Sequence, residues 1–112
     1  MGIDRKAVYE KFDGHCEYCG KVIQFKDMQV DHIKPKCNGG TDDMDNLFPS
    51  CRRCNHYKRT LSVNLFRMMI EEIPQKLMAR QYIFKVGVDY GFFEPRKRKV
   101  KFYFEQQESE GE

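Results

Sequence analysis

Two Cys-x-x-Cys knuckles constrain this chain more than any other feature. Cys16-Glu17-Tyr18-Cys19 and Cys51-Arg52-Arg53-Cys54 are separated by residues 20–50. Each knuckle sets two sulfurs on one side of a tight turn, and two such turns supply the four tetrahedral thiolates that structural zinc prefers. The intervening stretch is too long for a common finger, so it must fold as a unit of its own. A redox Cys-x-x-Cys belongs in a thioredoxin-like setting, which this chain does not offer. The fifth cysteine, Cys37, reads as a free loop thiol, and His15 as a surface histidine beside a ligand.

The chain has 112 residues, a net charge of +3 and a hydrophobic share of 40%. That is enough for one domain, expected over residues 1–104, with a core small enough to need a staple. No apolar run approaches the roughly 18 residues of a membrane span. The N-terminal stretch lacks the apolar region of a secretory signal, and the odd cysteine count argues against a disulfide framework. A soluble, cytoplasmic setting with no membrane partner is therefore expected. Residues 105–112 carry four acids and no base. They read as an acidic, disordered tail, and the remaining body is distinctly basic, which suits a polyanionic partner.

Periodicity predicts a helix over residues 5–12 capped by Asp4, a strand over 28–33, and a glycine loop at Asn38-Gly39-Gly40-Thr41. From Cys51 the pattern turns helical, with Pro74 as a break or restart. Residues 75–85 read as helix, residues 86–93 are ambiguous, and residues 99–105 read as a short strand. The apolar stripe of Leu61, Leu65 and Met68 reads as core.

Within the stretch between the knuckles, chemistry-bearing residues cluster. Asp31 ends the predicted strand and is a hard oxygen ligand suited to magnesium or manganese. His32 follows on the opposite face, and histidine's ordinary pKa of about 6.5 lets it accept a proton at neutral pH. Asn55, early in a helix, offers a neutral oxygen. Joining the knuckles through zinc brings the strand pair and the helix start into one ββα unit.

The string Cys-x2-Cys, Asp31-His32-Ile33-x-Pro35, Gly39-Gly40, Asn46-Leu47 and Cys-x2-Cys-Asn55-x2-Lys58 resembles the zinc-containing HNH endonucleases of phages and bacteria. The resemblance covers residues 16–58. It implies an α+β fold built on the ββα-metal (His-Me finger) core, stapled by the four-cysteine zinc site, with C-terminal helices and a short C-terminal strand added. It implies metal-dependent hydrolysis of DNA phosphodiesters, by nicking or double-strand cleavage. His32 would be the general base, Asp31 and Asn55 would hold a catalytic Mg2+ or Mn2+, and Asn46 would brace the loop and orient His32. The third letter of the family name is often histidine. Asn55 stands there in this chain, and the neighbouring His56 is the rival ligand.

Arg52, Arg53, Lys58 and Arg59 would contact phosphates. Arg96, Lys97, Arg98, Lys99 and Lys101 form a second basic cluster. The competing readings are a non-catalytic zinc module that binds nucleic acid, and a ribonuclease or toxin with the same core. A homodimer, or a partner in a phage packaging or restriction complex, is compatible with the spare apolar stripe.

Overall fold

The structure is a computed structural model that describes residues 2–110, with side chains described up to residue 107. The elements run α1 (Arg5–Lys11), β1 (Gln29–His32), β2 (Leu47–Ser50), α2 (Arg52–Lys58), α3 (Val63–Glu71), α4 (Ile73–Arg80), α5 (Tyr82–Asp89) and α6 (Tyr103–Glu110). The described residues gather into two compact units, residues 2–63 with 101–110, and residues 64–100.

The first unit holds most of the core. Asp4 caps α1 by accepting a hydrogen bond from the Ala7 amide, as its residue type favours. The chain then reverses through the first knuckle, where the Cys16 amide donates to the Lys21 carbonyl at 2.8 Å and the Gly20 amide to Cys16 at 2.9 Å. Gly20 has φ +82, and a Cβ there would lie 2.8 Å from the Tyr103 ring, so conformation and space both require glycine. Strands β1 and β2 pair antiparallel, with Asp31 opposite Phe48 and His32 opposite Leu47. Pro49 is tolerated in β2 because a two-stranded sheet is all edge. Its carbonyl accepts from the Glu17 amide at 3.1 Å and ties the knuckle to the sheet.

Val8, Tyr18, Ile23, Met28, Leu47 and Phe102 are buried in this unit. The Tyr18 ring meets Phe102 edge-on at 5.2 Å and Phe48 at 5.8 Å. The C-terminal strand that sequence predicts here is absent. The amides of Tyr103 and Phe104 each donate one hydrogen bond, to Tyr18 and Glu17, after which the chain coils into α6. Two bonds from neighbouring amides to the turn of a knuckle are not a ladder, and alternation in so short a stretch cannot tell the two apart. The expected disordered tail falls partly within α6, which runs to Glu110; residues 111–112 lie outside the described residues.

The second unit is helical. Pro74 sits in the first turn of α4, where its missing N–H costs nothing, so it restarts the helix as expected. The ambiguous stretch after Lys85 continues as helix through Asp89. Phe66 is buried, whereas Leu65 and Met68, expected in the core, are exposed. Phe84 stacks on Phe93 at 5.3 Å, and the Glu71 carboxylate accepts from the Val100 amide at 2.9 Å. Among the described residues, no helix is long and apolar enough to cross a membrane.

Candidate active site and zinc knuckles

The four sulfurs of Cys16, Cys19, Cys51 and Cys54 lie within 4.8 Å of one another. Cys51 caps α2, its sulfur accepting from the Cys54 amide. The Cys16 thiol is drawn down to about 4, chiefly by its hydrogen bond with the Cys54 side chain, so it readily becomes a thiolate. Four clustered thiols, one of them easily ionised, fit a tetrahedral zinc ion. Cys37 is exposed and stands apart from this cluster.

Asp31, His32 and Asn55 line a single depression of about 250 Å³ together with Arg59. Strand β1 supplies the first two, while Asn55 lies on helix α2 and Arg59 caps its end. Their convergence thus depends on the second knuckle, which launches α2 directly from β2. Asn46 lies to one side. Its side-chain oxygen accepts from the Lys34 amide at 2.8 Å, and its amide nitrogen donates to the carbonyls of Thr41 at 2.8 Å and Lys34 at 3.0 Å. It therefore braces the loop after His32, but none of these bonds reaches the His32 ring. The loop is tight: a Cβ on Gly40 would stand 1.7 Å from the Lys34 carbonyl oxygen.

The His32 ring is held by a residue that the sequence reading does not single out. Its Nε2 lies 2.7 Å from Asp42 Oδ1. Hydrogen bonds from His32 and then Lys36 hold the Asp42 carboxyl below the usual carboxylate range, so at neutral pH it can only accept. Nε2 must then carry the hydrogen, and in neutral His32 the lone pair sits on Nδ1.

Asp31 is 4% exposed and Lys58 fully buried. Lys58 Nζ lies 3.1 Å from Oδ2 and 3.3 Å from Oδ1 of Asp31, and 3.2 Å from the His32 carbonyl oxygen. The Tyr18 hydroxyl donates to the same carboxylate. Burial raises the Asp31 pKa, and the bonds from Tyr18 and Lys58 oppose that rise. Burial and the adjacent Asp31 together hold the Tyr18 hydroxyl protonated.

Two placements differ from expectation. Lys58, expected to meet phosphate, is turned inward onto Asp31. His56, the rival metal ligand, lines a different groove on α2 with Arg52 and Arg53. Position on the helix could have shown both. Cys51, Cys54 and Lys58 follow one another at i, i+3 and i+7, so Lys58 shares the inward face of these two cysteines, while His56 is rotated away from Asn55 by one residue.

Residues 16–60, which hold the knuckle-joined ββα unit with Asp-His on its strand and Asn on its helix, match the family model described as HNH endonuclease. Over 44 residues, 38% of the chain, it is 43% identical to the CRISPR-associated endonuclease Cas9 of Corynebacterium diphtheriae. It is also similar in fold to the Type II-C Cas9 enzyme from Actinomyces naeslundii, with a TM-score of 0.53 at 20% identity over 88% of the chain. The chain spans only 4% of the first protein and 13% of the second.

Proposed function

We propose that the protein is a metal-dependent endonuclease that hydrolyses DNA phosphodiesters, with His32 as general base. The observation that carries this reading is the shared pocket of Asp31, His32 and Asn55. The donor set fits a hard divalent cation such as magnesium or manganese. Asp31 offers a carboxylate and Asn55 an amide oxygen, both hard donors, on the wall of one depression. Asp31 and Asn55 would hold the cation. When bound, it would neutralise charge building on the phosphate and ease departure of the 3′ oxygen.

The chain's own groups supply the rest. Asp42 fixes the ring so that Nδ1 of His32 takes the proton from the attacking water. The water oxygen forms the new bond to phosphorus as the bond to the 3′ oxygen breaks. Asn46 holds the loop that carries Asp42 and so keeps the ring in place. Arg59, exposed at the pocket rim, meets the phosphate oxygens. A non-catalytic zinc module would have no use for this convergence.

The test is cleavage of supercoiled plasmid by the zinc-loaded protein, with and without added magnesium or manganese, beside His32→Ala. The variant should lose about 10²–10⁴-fold in rate while keeping its circular dichroism spectrum. Equal cleavage by the two proteins would remove His32 from the mechanism. A matched RNA substrate cut faster than the DNA would favour the ribonuclease reading.

A further inference from the structure

A second depression lies on α2, beside the first knuckle and separate from the pocket of His32. It has a volume of about 760 Å³ and is lined by Lys21, Lys26, Arg52, Arg53 and His56, with Asp27 as its one acid. All four Lys and Arg residues are exposed. Among the described residues none of the four forms an ion pair, whereas Lys6, Lys36, Lys58 and Lys97 all do. A tetrathiolate zinc nearby would carry −2 and Asp27 −1, which leaves the groove net positive. Four uncommitted cations converging on one open trough are disfavoured by mutual repulsion unless a polyanion joins them.

The helix explains the separation. At about 100° per residue, Arg53 and His56 stand about 160° and about 100° round α2 from Asn55, with Arg52 between His56 and Asn55. The helix therefore stands as a ridge between the two depressions. With side chains such a ridge is about 10–12 Å across. One strand of nucleic acid advances about 3.4 Å per nucleotide. The ridge thus corresponds to about three nucleotides.

We propose that this groove is a second backbone track, which grips phosphates of the bound nucleic acid about three nucleotides from the bond presented to His32. The proposal rests on the endonuclease reading only for the register; the track itself is a matter of binding. Lys21 and Lys26 are then phosphate-binding residues, and Arg52 and Arg53 serve the track and not the cleavage pocket.

The test uses the zinc-loaded full chain carrying His32→Ala, so that cleavage does not interfere, and a labelled DNA duplex of about 20 base pairs. Affinity is measured against salt concentration. Adding Lys21→Gln and Lys26→Gln should lower the slope of log Kd against log salt by about 2, near 0.9 per phosphate contact. The matched control, Lys6→Gln with Lys11→Gln on α1, makes the same change in net charge and should leave the slope in place. Equal losses from both pairs, or none from either, would overturn the track. Single-stranded DNA and duplex RNA of equal length serve as further arms, and the best-bound of the three names the strand the track carries. If plasmid cleavage fails but the slope still falls, the track stands and the endonuclease reading does not.

Discussion

Lys58 Nζ lies 3.1 Å from Asp31 Oδ2 with both side chains buried. Neither charge would be stable there alone, so the pair forms a strut between α2 and β1. Lys58→Ala leaves an uncompensated carboxylate and should cost about 3–5 kcal/mol. The pH dependence has a definite sign. Burial already raises the Asp31 pKa above its ordinary 3.8, and Lys58 works against that rise. A raised carboxyl pKa stabilises the fold below the unfolded value, and that contribution is lost as pH rises through the folded value. Removing Lys58 raises the pKa further. The deficit of the variant should therefore be largest at neutral pH and shrink near the ordinary carboxyl pKa of about 4. Urea melts of both proteins at the two pH values check this, and a deficit that does not change with pH would contradict it.

Asp42 acts on His32 from an exposed loop. Asp42→Asn should keep the fold, since the carboxylate is open to water. It should lower the cleavage rate by about tenfold, because the amide can present its N–H to the ring and select the other tautomer. The folded Asp42 pKa is depressed, so the His32–Asp42 bond is present above the ordinary value of 3.8 and fades as pH falls through the lower folded one. A rate for Asp42→Asn equal to that of the parent would mean the bond does not orient the ring.

Arg59 ends α2 with φ +52 and ψ −122, a conformation that glycine adopts freely and arginine does not. Arg59→Gly should raise stability by about 1 kcal/mol. The same change removes a cation from the rim of the cleavage pocket and should slow cleavage. Thermal melts and plasmid assays run together read both effects, and a loss in both would show that the arginine side chain also supports the fold.

Zinc removal should unfold the first unit. Structural zinc contributes on the order of 10–16 kcal/mol, against a whole-domain stability of about 5–15 kcal/mol. Chelation should therefore abolish the cooperative melt, and added zinc should restore it. A metal-free sample that melts at the same temperature would show that the aromatic cluster around Tyr18 suffices.

The cysteine knuckles, the strand ending in Asp31-His32 and the helix opening near Asn55 are legible in sequence because each rests on short-range spacing. The partners of those residues are not. Asp42 looks like an ordinary loop acid until the turn at Gly40 folds it back on His32. Tyr18 sits inside the first knuckle between Cys16 and Cys19, and nothing in that spacing shows that its hydroxyl serves Asp31. Lys58 reads as a surface cation because lysine is seldom buried, and only the helical face it shares with Cys51 and Cys54 hints otherwise. Val86, Val88 and Tyr90 alternate like a strand, but Ile83, Val86 and Tyr90 also repeat at three and four residues, and the helix prevails.

Phe102 packs edge-on against the Tyr18 ring, so the first unit closes on a residue that follows the whole of the second. During synthesis from the N-terminus, all four cysteines emerge long before that ring does. A nascent chain can thus load zinc while its aromatic slot is still empty. Completion of the first unit is then timed by elongation, with residues 101–104 closing it.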